Sequence, residues 1–308
     1  MDLHQFDLKP LRLKDRPFID SILSSSETML SSYAFVSHYI WRDIFHFYWG
    51  IINHYFCLFA QYDNYIYMPI PPVLSNLHFS KGGKQKIIST VFSMMEKINN
   101  NKTVSRIENI DDCQVSFFTS HNYDIKPGES EYLYLREELA NLKGDPYKSK
   151  RAMCNYFVKH YQYSYETFQA SSIVDCISLF DYWNIERGKK INDPFYHALL
   201  DDSSLAHKQA MRHYKSLQFT GRIIRINGKV EGYTFGFALG NIFYILLEVA
   251  NPDIRGLAQF IFREFCSEMN GYTYINTLGD SGLENLRRVK LSYKPYKVIP
   301  SYIAYQNL

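Results

Sequence analysis

The sequence predicts an α/β chain of the α+β kind, with mixed central sheets flanked by helices and two such units in tandem. Three observations lead there. In the second half, Asn227-Gly228 and Gly240-Asn241 separate three β-rich runs, which reads as an antiparallel meander. Segments of helical period stand before and after that meander. The first half shows a looser copy of the same order. The Lys143-Gly144-Asp145-Pro146 turn divides the halves, giving units 1–145 and 146–308.

Each element has a local reason. Residues 14–32 are polar and compatible with a helix. Runs 56–60 and 65–69 flank the turn Gln61-Tyr62-Asp63-Asn64 and read as a hairpin, closed by Pro69, Pro71 and Pro72. Over 83–99, Ile87, Ile88, Val91, Met94, Met95 and Ile98 recur at helical spacing. Runs 104–107, 115–119 and 132–135 read as short strands, and 136–161 as two helices around the 143–146 turn. In the second half, 171–186 and 203–217 are helical, and the meander covers 220–227, 229–239 and 242–249. A helix over 257–269, a strand from Tyr272, a basic helix and a last strand near 297–302 complete the order.

Composition narrows the function. Hydrophobic residues make up 46% of the 308, enough for two cores. A net charge of +3 is too mild to demand nucleic acid, so local patches matter more. Five cysteines, odd in number and without CxxC spacing, argue against a disulfide framework and structural zinc. The N-terminus lacks the apolar stretch of a signal peptide. Apolar runs 44–60 and 232–247 fall short of a spanning helix, which needs ~20 residues. A cytoplasmic protein without a transmembrane segment is expected. His38, His46 and His54 form no ligand spacing, so no metal site is expected, and no nucleophile elbow occurs.

Segment 272–293 carries the most chemistry. A strand ends in Gly279-Asp280-Ser281-Gly282, and the basic helical run that follows holds Arg287, Arg288, Lys290 and Lys294, with no acid after Glu284. A strand end opening beside a cationic helix suits an anionic ligand. Arg287, Lys290 and Lys294 share a face; Arg287 can clamp a phosphate bidentately and Lys290 can act as a point charge. The plainer reading is a solvated face. Glu248, late in an apolar strand, is a candidate general base with a pKa raised by burial, or half of an ion pair with Arg255 or Lys290. Tyr293 is a candidate proton donor, and Asp280 reads as a helix cap. Lys143, Lys148, Lys150 and Arg151, with Tyr147 and Tyr156 interleaved, form a candidate nucleic-acid contact or a solvated surface.

Helix, helix, meander, helix, strand, helix, strand is the order of the acetyltransferase-like (GNAT) acyl-CoA N-acyltransferase fold. Longer motifs resemble one family. They are ANPDIRGL at 250–257, YIN at 274–276, Asp280, Gly282, LRRVKLSYKP at 286–295, YLYLREELANLKGDPYKSKR at 132–151 and the pair Trp41-Arg42. Together they resemble the bacterial family similar to the C-terminal domain of phosphatidylglycerol lysyltransferase, over most of the chain.

The resemblance implies tandem GNAT-like folds and transfer of an activated acyl or aminoacyl group to an amine or hydroxyl acceptor. It implies aminoacyl-tRNA as donor, with acyl-CoA second, no further cofactor, and transient contact with a membrane surface. Donor phosphates would meet Asn251, Arg255, Gly256, Asn276, Arg287 and Lys290. In the acetyl-CoA branch, phosphates rest on a Gly-containing turn that opens a helix. Here that turn starts with Asp253, which repels pyrophosphate. The chain also departs from the family where Asn276, Thr277 and Leu278 replace Asn-Arg-Glu, where Val249 replaces Lys after Glu248, and at Asn285 in place of Gly. These losses leave open a non-catalytic binding module with an eroded centre.

Overall fold

The computed structural model describes residues 6–75, 83–189 and 193–307. The chain forms two compact units, Met1–Glu131 with Ile299–Leu308, and Tyr132–Val298. The units meet at 131/132 rather than at 145/146. The reason is pairing: the strand and helix of 131–141 are built into the second unit's sheet and helical layer.

The first unit carries β1 (Lys9–Pro10), α1 (Arg16–Leu23), α2 (Phe35–Tyr39), β2 (His46–Ile52), β3 (Tyr55–Tyr62), β4 (Tyr65–Tyr67), β5 (Val73–Leu74), α3 (Lys84–Asn99), β6 (Arg106–Asp111), α4 (Asp112–Ser120) and β7 (Tyr123–Pro127). Helix 14–32 is expected from the sequence, but its α-helical part is the shorter α1. Apolar run 44–60 is a hairpin: β2 pairs antiparallel with β3 around Asn53 and His54, at φ 49° and 69°. Run 115–119, expected as a strand, lies inside α4, where the Asp111 carboxylate accepts from the Cys113 N–H at 3.1 Å and caps the helix. A short apolar run has no period long enough to tell the two apart. The last strand, Ser301–Gln306, lies between β6 and β7. Ile87, Ile88, Val91, Phe92 and Met95 of α3 are fully buried with Phe59, Ile66, Ile107 and Phe118.

The second unit holds β8 (Glu131–Leu135), α5 (Arg136–Asn141), α6 (Lys148–His160), β9 (Tyr163–Thr167), α7 (Ile173–Gly188), α8 (Pro194–Arg212), β10 (Thr220–Ile226), β11 (Lys229–Leu239), β12 (Ile242–Ala250), α9 (Leu257–Glu268), β13 (Tyr274–Asn276), α10 (Glu284–Leu291) and β14 (Lys297–Ile299). One sheet runs β14-β8-β13-β12-β11-β10-β9, with β12 and β13 parallel. The meander is as expected; β9 is not. The expected last strand over 297–302 is two strands in different sheets, parted at Pro300, which has no N–H to give a ladder. Helices cover both faces. Gly232 lies against Leu257 and Ile261 of α9, whereas the next residue, Tyr233, meets His207 Nδ1 of α8 at 2.7 Å.

One irregularity decides which way β12 faces. Gly236 pairs with Ile245, but Phe235 pairs with Leu247, so Leu246 is an extra residue. A bulge of this kind reverses the in–out alternation beyond it. Phe243 and Ile245 pack toward α9, and past the bulge Glu248 and Ala250 do, where strict alternation would turn them away. Gly236 permits this, since a Cβ there would lie 2.4 Å from the Tyr244 carbonyl oxygen. Among the described residues no helix is long and apolar enough to cross a membrane.

Candidate functional site

The site is a fork in the sheet. β12 and β13 pair only from Ile242↔Tyr274 to Tyr244↔Asn276. After Asn276 the chain leaves the sheet while β12 runs on to Ala250. The departing loop is tied down from several sides. Asn276, fully buried, accepts from the Leu278 N–H at 2.7 Å, and Leu278 sits at φ 61°. Asp280 accepts from the Tyr132 hydroxyl and from the Gly282 N–H. Asp280 therefore holds the loop, and the residue before α10 is Leu283. Lys290 of α10 donates to the carbonyls of Thr277, Leu278 and Gly279. In turn the Tyr134 hydroxyl donates to the Lys290 carbonyl at 2.9 Å, and Tyr147 to the Tyr293 carbonyl at 3.1 Å.

Glu248 enters this fork from β12. The residue as a whole is partly accessible, but Oε2 is enclosed and has no hydrogen-bond partner among the described residues. Burial pushes its carboxyl up to about 8; Thr234, directly opposite on β11, and the Lys290 charge offset part of this. Thr234 Oγ1 is close enough to relieve the charge yet forms no hydrogen bond, and Thr277 Oγ1 is likewise buried without one. Tyr293 is buried, and its phenol is held well above its usual range by burial first and then by the Glu248 charge. The Cys266 thiol of α9 is raised by the same two causes. So the fold gathers Glu248, Lys290, Tyr293 and Asn276 around one strand end. Such a set can exchange a proton near neutral pH through Glu248 and keep one on Tyr293.

The other sequence candidates stand elsewhere. Asn251 is engaged with Glu231, Nδ2 to Oε2 at 2.6 Å and backbone to backbone at 2.8 Å. Arg255 lies over the Tyr156 ring at 4.5 Å. Gly256, at φ 85°, starts α9, where a Cβ would lie 2.2 Å from the Met153 carbonyl oxygen; packing on α6 requires glycine there. Arg287, with Lys294 beyond the helix, is exposed, so of the three cations read on one face only Lys290 turns inward.

In the central cluster, Lys143 and Lys148 are exposed, and Arg151 is bound to the carbonyls of Leu142 and Gly144. Lys150 is half-buried over the Tyr293 ring at 4.3 Å, and burial lowers its pKa. That places Lys150 at the fork. Neither of two sizeable grooves touches Glu248. One of about 460 Å³ is lined by Arg136, Glu138, Lys143 and Tyr272, and another of about 580 Å³ in the first unit is lined by residues of α3.

Thr234, Cys266 and the role of Lys150 are not apparent from the sequence. Counting outward from Gly240-Asn241 pairs Glu248 with Tyr233 and misses Thr234 by the one bulged residue. Among the described residues no cluster of histidine, cysteine or carboxylate side chains is arranged to hold a metal ion.

Residues 26–305 match the family described as phosphatidylglycerol lysyltransferase, C-terminal. The chain belongs to that family. No curated protein matches it significantly. Family membership agrees with the motifs at 132–151 and 250–295, and the fold is mixed α/β with acyltransferase-like neighbours. A conserved protein of unknown function from Bacteroides thetaiotaomicron superposes with a TM-score of 0.85 at 23% identity, covering 97% of this chain and 99% of that one. L-PGS from Bacillus licheniformis superposes at 0.64 and 14% identity, covering 95% and 92%. A tandem GNAT protein from the clavulanic acid biosynthesis pathway does so at 0.50 and 11%, covering 98% of each. At these identities the likeness is one of fold.

Proposed function

We propose that this family member transfers an activated acyl or aminoacyl group, with aminoacyl-tRNA as the favoured donor and acyl-CoA the second, to an amine or hydroxyl acceptor. The observation that carries the reading is Glu248: a carboxyl enclosed at the fork, pushed up to about 8, with one oxygen lacking a partner. A carboxylate so tuned is a general base poised near working pH. The acceptor nitrogen or oxygen attacks the acyl carbonyl carbon while Glu248 takes its proton. The bond from that carbon to the ribose oxygen, or to the thiol sulfur, breaks. Tyr293, which holds its proton firmly, supplies one to the leaving atom and regains it through Glu248.

In this reading Lys290 is a positioning residue, because its ammonium protons serve the 277–279 loop. Donor phosphates fall to exposed Arg287, with Lys143 and Lys148 as further contacts for a polynucleotide donor. The tandem arrangement of two acyltransferase-like folds, a cytoplasmic setting and transient membrane contact belong to the same proposal.

The test offers the protein labelled aminoacyl-tRNA or labelled acyl-CoA together with amine and hydroxyl acceptors. Transfer of label that is lost in Glu248→Gln, with donor binding retained, supports the reading. Transfer unchanged in that variant removes Glu248 from the chemistry.

A second reading rests on Thr277 and Leu278. They bring no charge to the strand end, and the carbonyls there are taken by Lys290. A module that binds the donor without turning it over gives binding and no label transfer with every acceptor.

A further inference from the structure

The groove of about 460 Å³ in the second unit lies outside the fork. Its lining carries two cations, Arg136 and Lys143, and two carboxylates, Glu137 and Glu138, together with Tyr147 and Tyr272. Neither cation forms an ion pair with a described residue. Elsewhere in the chain, charges this close in sequence do meet. Arg263 and Glu264, adjacent on α9, lie 2.5 Å apart, and Lys189 lies 2.6 Å from Glu186. Arg136 and Glu137 are adjacent in the same way on α5 and stay apart. Arg136 is also half-buried, and its charge reaches the buried Cys266 thiol, where it opposes the rise that burial causes. A guanidinium drawn out of bulk water without a counter-ion costs free energy that a bound anion recovers.

The walls of the groove are held in place by their own contacts. The Arg136 N–H donates to the Thr273 carbonyl at 3.0 Å, which sets the start of α5 against the turn before β13. Arg151 donates to the Leu142 and Gly144 carbonyls and so fixes the loop that carries Lys143. Tyr147, buried, donates to the Tyr293 carbonyl at 3.1 Å and lies 3.3 Å from Glu138 Oε2, a second acceptor for the same hydroxyl. The Tyr272 ring packs on Phe243 at 5.5 Å. A cavity of this size, with fixed polar groups and aromatic walls, suits a small molecule and gives up little conformational freedom on binding it.

The mixture of charges selects the occupant. A phosphate or a simple carboxylate gains from Arg136 but is repelled by Glu137 and Glu138. A simple amine meets the converse. A neutral molecule leaves the unpaired guanidinium as it was. A molecule that carries one carboxylate and one ammonium a few bonds apart satisfies both signs at once.

We infer that this groove is a binding site for a free α-amino acid with an apolar or aromatic side chain. Arg136 takes the carboxylate bidentately, Glu138, steadied by Tyr147, takes the ammonium, and the Tyr272 ring covers the side chain. The inference does not rest on the transfer chemistry, and its test needs no donor or acceptor.

The test is calorimetric titration of the full chain with the apolar and aromatic standard amino acids. Each is tried beside its N-acetyl derivative, which lacks the ammonium, and its amide, which lacks the carboxylate. At least one free amino acid should bind about tenfold or more tightly than either of its derivatives. Glu138→Gln keeps an acceptor for the Tyr147 hydroxyl and should bring the N-acetyl derivative level with the amino acid. Arg136→Gln should do the same for the amide. Both variants are compared with the parent only where the melting transition is unchanged; Arg136→Lys, which keeps the charge and loses the fork, should retain part of the preference over the amide. Hydrogen exchange should slow across 135–143 and 271–274 when the amino acid is added.

Absence of binding up to about 10 mM for all of these amino acids overturns the inference. So does equal binding of either derivative to the parent, or a preference for the free amino acid that survives both substitutions. Slowed exchange centred on 248–251 and 277–282 overturns it as well, since the amino acid then occupies the fork.

Discussion

Thr234 and Glu248 face each other across the β11–β12 ladder because Leu246 is one residue too many on its strand. Without that bulge, Glu248 would stand on the α8 side of the sheet, beside residues such as Tyr244 that pack against Phe237. With it, the carboxyl turns into the fork near Lys290 and Tyr293. The bulge thus converts a strand residue into a candidate base.

The Glu248 carboxyl gives a pH signature with a definite sign. Its folded value of about 8 lies above the ordinary glutamate value of ~4.3 expected for the unfolded chain. The stability that protonated Glu248 contributes is full below the unfolded value. It is lost as pH rises toward the folded one. Glu248→Gln should therefore match the parent at low pH and exceed it above pH 8, by a few kcal/mol. Melting temperatures across pH measure this, and a constant difference between the two proteins would contradict it. Any transfer activity should rise with pH through about 8.

Lys290 should matter to the loop before it matters to any ligand. Lys290→Met removes the donor shared by the Thr277, Leu278 and Gly279 carbonyls. A loss of about 2 kcal/mol is expected. Hydrogen exchange should speed up across 276–282 and little elsewhere. Unchanged exchange there would mean that these contacts do not hold the loop.

Tyr293→Phe separates the hydroxyl from the ring. The ring still packs on Phe262 and still lies under Lys150, so the melting transition should move little. Transfer of label should fall by roughly 100-fold if the hydroxyl protonates the leaving atom. Full activity in this variant would relieve Tyr293 of that role.

Gly256→Ala distinguishes packing from ligand binding at the start of α9. An added Cβ meets the Met153 carbonyl at 2.2 Å, and the backbone there has φ 85°. A destabilisation of about 2–3 kcal/mol is expected from strain and overpacking together. Normal stability with weakened acyl-CoA binding would instead return this turn to the donor site.

Local signals made much of the fold legible. Asn227-Gly228 and Gly240-Asn241 mark the two hairpins, and the helical period of Ile87 to Met95 marks α3. Segment 115–119 misleads, because an apolar run that short fits a strand and a helix equally, and the Asp111 cap decides for the helix. Of the basic set, spacing correctly groups Arg287 and Lys290 on one helix. It has no means of telling that Lys290 turns to backbone carbonyls while Arg287 turns to solvent.

By itself the sequence determined the family, the meander, the basic last helix and the choice of Glu248 as the carboxylate of interest. These follow from turn dipeptides, periodicity and ordered motifs, all of them short-range properties of the chain. Tertiary structure alone decided that Leu246 bulges, that Glu248 consequently faces Thr234 and Lys290, that Lys150 covers Tyr293, and that 131–141 is built into the second unit. The physical reason is that ladder register and side-chain burial are set by partners far away in sequence.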